Sequence, residues 1–232
     1  MNSENNSAPG SVQLVSKAIG EDLRPGELGI VLAQAGGGKT ACLTRIALDH
    51  LLREQPVLHV GIDRKPDAIR AWYQEMVNSL AVSQYGGDPA QLRSRIEPLR
   101  FILAYSHPTF SPQKLEQSFR NLKEQARFNP ALVVLDGLDF DSATRPLVEA
   151  LRSFAQTQQV PLWMGARTHR HIATTNEQGV PYPCHEMDDL FQVIFLLKTE
   201  PEAIRLEVIK HHDQFKPNYP ALFLNPQTFL LQ

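Results

Sequence analysis

Ala33-Gln34-Ala35-Gly36-Gly37-Gly38-Lys39-Thr40 separates two segments of different periodicity. Before it, residues 28–33 form an apolar, β-rich run. After it, Leu43, Ile46, Ala47 and Leu51 share one face of a helix expected at Lys39–Leu52. Strand, glycine-rich loop, helix is the order in which a phosphate-binding loop must lie. Consecutive backbone N–H groups can turn inward around phosphate oxygens only where side chains are absent, which accounts for the three glycines. The new helix N-terminus adds a field that favours negative charge. The nucleotide-contacting stretch is therefore expected to be Ala35, Gly36, Gly37, Gly38, Lys39, Thr40 and Ala41. Lys39 would reach the β- and γ-phosphates, and the Thr40 hydroxyl would bind Mg²⁺. Ala33 stands where glycine is commoner at the head of this pattern. Ordinary β space is expected for it, because a left-handed backbone would cost its Cβ about 1–2 kcal/mol.

A Gly-Lys-Ser/Thr triplet arises by chance in roughly one chain in ten of this length, so the loop needs a second motif. Ala131-Leu132-Val133-Val134-Leu135-Asp136 supplies it. An apolar run ending in a carboxylate is the form of a strand whose Asp, here Asp136, holds the shell of a Mg²⁺ ion. A buried parallel strand reads the same up to Leu135. The two motifs together, rather than either alone, point to a nucleotide site with ATP and Mg²⁺ as its expected ligands.

Outward from the loop, short β-rich runs alternate with longer amphipathic ones, which predicts crossover units and a mainly parallel sheet flanked by helices. Strands are expected at 28–33, Val57–Ile62, 100–104, 131–135 and 160–165. Helices are expected at Lys39–Leu52, Pro66–Leu80, 113–128 and Arg145–Gln158. Past Met187, the runs 190–197, 204–209, 221–224 and 229–231, parted by turn residues such as Lys198-Thr199-Glu200-Pro201, read as C-terminal antiparallel strands extending the sheet. Gly86-Gly87-Asp88-Pro89 reads as a surface excursion. Residues 1–10 are polar and aperiodic and read as a disordered leader, leaving 11–232 as one domain.

Composition narrows the function classes. The 232 residues fit one generous domain, and a hydrophobic share of 42% supplies a core without disulfides. The balance of 23 Lys+Arg against 25 Asp+Glu leaves a net charge of −2, with a pI near 6.4. That excludes holding a polyanion by bulk charge, so any nucleic-acid contact needs a local patch. The first residues have neither a basic n-region nor an apolar h-region. The apolar run 190–197 contains Gln192 and falls far short of the ~18 residues of a membrane span. A cytoplasmic protein without a membrane span is expected.

Two strands, Val57–Ile62 and 100–104, stand in sequence between the loop and the carboxylate-ended run, which points to the additional-strand branch of P-loop ATPases. Arg24-Pro25-Gly26-Glu27-Leu28 with the loop, then His59-Val60-Gly61-Ile62-Asp63, then Val133-Val134-Leu135-Asp136-Gly137-Leu138, resemble the RecA-like superfamily, nearest its KaiC/RadA group and the ATPase domain of DnaB-type helicases. The resemblance spans about residues 11–232 and is diffuse after Gly165. It implies a RecA-like fold, Mg-dependent ATP binding and hydrolysis, and a homo-oligomer with nucleotide at the subunit interfaces. Asp63 matches the position of the family's catalytic Glu, which polarises the attacking water. Asp is one methylene shorter, and Arg64 stands where KaiC-like members carry a second Glu, so slow turnover is implied. From the residues alone, Asp63 also reads as the N-cap of the helix beginning at Pro66. Family members project a Lys-x-Arg pair onto a neighbour's γ-phosphate. Lys210 matches the Lys, and His212 replaces the Arg with a group that is neutral for much of its time near pH 7. A solvated strand end is the alternative reading. Arg167, in Arg167-Thr168-His169-Arg170-His171, occupies the region of a γ-phosphate sensor, or else an exposed basic loop.

The expected function is a slow or regulated ATPase that couples nucleotide state to an oligomer or a protein partner. The alternatives are a nucleotide-binding regulator or scaffold with weakened catalysis, and a DNA-acting motor of the RecA/DnaB type. A small-molecule phosphotransferase would share the loop, but no Arg-rich lid is present. Cys184, His185, His169 and His171 lack zinc-ligand spacing. Cys42, Trp72, Tyr73 and Trp163 are expected in the core or at its rim.

Overall fold

Alternation along each apolar run sends successive side chains to opposite faces of a sheet, and here both faces need cover. The computed structural model describes residues 13–85, 88–172 and 174–232; the expected leader and the Gly86-Gly87 turn lie outside them. Among the described residues, β1 (Leu28–Gln34), β2 (Val57–Ile62), β3 (Arg100–Tyr105), β4 (Leu132–Asp136), β5 (Leu162–Thr168) and β6 (Val193–Thr199) run parallel in the order β3-β2-β4-β5-β1-β6. β7 (Ile204–His211) returns antiparallel on β6, and β8 (Gln214–Phe215) and β9 (Leu222–Leu224) pair antiparallel with β7. The fold is α/β, with a mostly parallel mixed sheet.

One face buries Val31 and Ala33 of β1 and Trp163 of β5 beneath α1 (Leu14–Ile19), α2 (Lys39–Leu52), α3 (Pro66–Leu80) and α4 (Pro89–Ile96). The other buries Leu28, Ile30 and Leu32 of β1 and Val133 and Leu135 of β4 beneath α5 (Pro112–Glu124) and α6 (Arg145–Gln158). α1 is held to α2 through Asp49, which accepts from the Leu14 N–H (2.7 Å) and from Arg45 Nε (3.0 Å) inside the core. No helix among the described residues is long and apolar enough to cross a membrane.

Three expectations need correction. The run after Met187 yields β6, which is parallel to β1, because the chain passes from β5 on one side of β1 to β6 on the other. Residues 229–231 form no strand; Leu231 makes only an isolated bridge to Leu224. Pro89 opens the helix α4, which Asp88 caps by accepting from the Ala90 N–H (2.8 Å). The two strands expected in sequence between the loop strand and β4 are present as β2 and β3; in space, β5 lies between β1 and β4, and β3 is outermost. α1 is too short for a helical period to show in the sequence.

Candidate functional site

The loop between β1 and α2 takes its shape from two left-handed glycines, Gly36 (φ +72°) and Gly38 (φ +87°). Gly38 is also crowded, since a Cβ there would lie 2.2 Å from Phe229 Cζ. Ala33 sits inside β1, as its β expectation required. The Lys39 ammonium bends back over the loop and donates to the carbonyls of Ala33 and Gln34 (both 3.2 Å). Burial holds its pKa below the usual lysine range, with the Asp136 carboxylate opposing that shift.

Because β1 and β4 are parallel, their C-terminal ends open on the same edge of the sheet, where α/β proteins place ligands. Thr40, at the start of α2, donates its hydroxyl to Asp136 Oδ2 at 2.8 Å, joining residues 96 apart in sequence. Asp136 is 2% exposed, and Arg64 Nε stands 3.7 Å from the same oxygen. Two adjacent oxygen ligands, one of them a buried carboxylate, suit a hard divalent cation such as Mg²⁺. Gly137 lets the chain leave β4 here: its φ is +98°, and a Cβ would meet the Ile62 carbonyl oxygen at 2.1 Å.

A cavity of about 520 Å³ lies between the loop and the end of β4, lined by Lys39, Arg64, Asp136, Asp139, Asp141 and Arg167 among others. On the other flank of the loop a cavity of about 400 Å³ meets Gly38, Thr40, Ala41, Trp72, Pro226 and Phe229. Arg167 thus reaches the cleft, where Asp141 Oδ2 accepts from its guanidinium (3.4 Å) and pairs with His169 Nε2 (2.8 Å). Arg170 donates to the Gln34 side chain (2.6 Å), tying the basic segment to the loop. Sequence reasoning missed Asp139, Asp141 and Phe229. The first two follow Asp136 by three and five residues, a spacing that could have been tested as a continuation of the carboxylate motif. Phe229 carries no local signal.

The remaining expected residues lie elsewhere. Asp63 adopts a left-handed backbone (φ +50°), and its Oδ1 accepts from the His107 N–H at 3.0 Å. It is absent from the lining of both cavities. It is not the N-cap of α3 either, a position held by Lys65 without a side-chain bond. Lys210 is buried, donates to the Asp188 carbonyl (2.7 Å) and lies over the Phe215 ring. His212 is beyond the end of β7 with φ +51°, beside Glu21 and Glu27. β7 ends at His211 and the chain turns at His212, so Lys210 and His212 do not share the strand face expected for them. Cys42 is buried, and its thiol is pushed up to about 12 by loss of solvent; Tyr73 and Trp163 are core residues.

Neither a family model nor a curated protein matches this chain.

Proposed function

We propose that this chain is a Mg-dependent ATP-binding protein of the RecA-like type that hydrolyses ATP slowly and couples its nucleotide state to an oligomer or a protein partner. The observation that carries the reading is the Thr40–Asp136 contact at 2.8 Å. It brings the hydroxyl after the loop lysine and the carboxylate of a distant strand together, as a Mg·nucleotide site requires. The placement of β5 between β1 and β4 supports the additional-strand reading. In this proposal the backbone of residues 36–40 and Lys39 hold the phosphates, Thr40 and Asp136 hold Mg²⁺, and Arg167 offers its cation to the terminal phosphate. Trp72 and Phe229 offer apolar surface for the base on the other flank. Mg²⁺, when bound, supplies neutralisation of phosphate charge.

A second reading, a regulator that binds ATP with little hydrolysis, is favoured by one feature: the Asp63 carboxylate is held by His107 outside the cleft. Lys210 is engaged within its own chain, and no role at a neighbour's nucleotide is assigned to it. Calorimetric titration of Mg·ATP tests the shared core of both readings. Lys39→Ala should weaken binding about 100-fold or more, because it removes the one ammonium at the loop. Asp136→Asn should retain nucleotide but lose its Mg²⁺ dependence. Unchanged affinity in Lys39→Ala would overturn the site, and steady-state phosphate release separates the slow ATPase from the regulator.

A further inference from the structure

At the opposite end of β1 from the loop, three groups converge that the nucleotide reading does not use. Glu21 follows α1, His211 ends β7, and His212 starts the turn into β8. Glu21 Oε1 lies 3.2 Å from His211 Nε2 and 3.3 Å from His212 Nε2, and one ligand atom from each residue lies within 4.8 Å of the other two. We infer that Glu21, His211 and His212 form a divalent-cation site, suited to Zn²⁺, that ties the segment after α1 to the β7–β8 turn.

The two N···O separations are those of neighbouring ligands around an ion as well as those of hydrogen bonds. Zn–N and Zn–O bonds of ~2.0–2.2 Å in a tetrahedron place neighbouring ligand atoms about 3.3 Å apart, which matches both N···O separations. Imidazole nitrogens with one carboxylate oxygen are a borderline-soft set that favours Zn²⁺ over Mg²⁺ or Ca²⁺. The outer nitrogen of His211 is arranged as a metal-bound histidine requires. His211 Nδ1 faces the Tyr219 hydroxyl at 3.0 Å, and His212 Nδ1 faces Glu27 Oε1 at 3.7 Å. The Tyr219 hydroxyl on the far nitrogen orients the His211 ring with Nε2 toward the ion position, while Glu27 lies beside His212 Nδ1 beyond hydrogen-bonding distance. Arg24 holds the other Glu21 oxygen at 3.0 Å, so Oε1 alone is presented. All three side chains are partly open to solvent, giving an ion a path in. Three protein ligands leave a fourth position for water. The inference is independent of the nucleotide site.

The test is calorimetric titration of the tag-free, chelator-treated full chain with ZnCl₂. One ion per chain, bound at micromolar concentration or below, is expected. Zn²⁺ at 100 times its Kd should raise Tm by roughly 5–10 °C. Glu21→Gln retains an acceptor for both rings, and His212→Asn tolerates the left-handed backbone; each should weaken Zn²⁺ at least about 30-fold with an unchanged circular dichroism spectrum. Co²⁺ in place of Zn²⁺ should give the visible absorption of a tetrahedral centre, lost in Glu21→Gln. Asp136→Asn should bind Zn²⁺ as the native chain does. Absence of saturable binding, binding that survives both ligand changes, or binding removed by Asp136→Asn would each overturn the site.

Discussion

Asp63 shows how far the position of one residue departs from the direction of its side chain. It follows β2 where a catalytic carboxylate was expected, yet its left-handed backbone turns Oδ1 to the His107 N–H, while Arg64 faces the cleft. Asp63→Asn should therefore bind ATP normally and lose less than about tenfold in phosphate release. A positioned general base would instead cost about 10²–10⁴-fold, and a loss of that size would return Asp63 to the catalytic role. The carboxylates that line the cleft are Asp136, Asp139 and Asp141. Asp141 pairs with both Arg167 and His169, so the charge available to a phosphate at Arg167 depends on that neighbour.

Among the elements, the exit from β4 constrains the site most tightly. Gly137 crosses the end of β2 so closely that its α-carbon faces the Ile62 carbonyl, and this approach keeps Asp136 in register with the start of α2. Gly137→Ala would add left-handed strain of about 1–2 kcal/mol and a clash of about 1–3 kcal/mol. A fall in stability of about 2–5 kcal/mol, together with weakened Mg·ATP binding, is expected from urea unfolding and calorimetry. A change below about 1 kcal/mol would show that the β2 and β4 ends separate freely. Element bounds were legible where local signals were strong: α2, α3 and α6 occupy the expected residues, each with Lys39, Pro66 or Arg145 at its start. α4 was not, because Gly86-Gly87-Asp88-Pro89 reads as a turn until the Asp88 carboxylate is found capping a helix that starts at Pro89.

For the molecule as a whole, two buried histidines set its response to acid. His59 is packed between the sheet and α3, with Nδ1 2.9 Å from the Tyr73 hydroxyl and Nε2 without a partner among the described residues. Burial pulls its pKa down to about 3, and burial with the nearby Arg53 pulls His50 to about 4. Both rings are neutral when folded and take up protons near pH 6.5 when unfolded. Their contribution is intact above pH 6.5 and is lost as pH falls, by up to about 1.4 kcal/mol per pH unit for each ring. The loss from His50 ends near pH 4 and that from His59 near pH 3. Urea unfolding between pH 7 and 4.5 should show this slope, and His59→Gln should remove about half of it. An equal slope in the variant would show that other groups carry the acid sensitivity.

The strand–loop–helix at residues 28–52, the carboxylate at Asp136 and the α/β class were legible in the sequence because each depends on neighbours along the chain. Periodicity reports which side chains share a face, and glycines report where backbone must be exposed. What touches the cleft was decided by tertiary structure. The turn after β2 directs Asp63 to His107, the turn after β4 brings Asp139 and Asp141 into the cleft, and Arg167 reaches it from within β5. The meeting of Glu21 with His211 and His212 spans some 190 residues. No local pattern encodes it, because it results from the order in which the strands pack and from where each one ends.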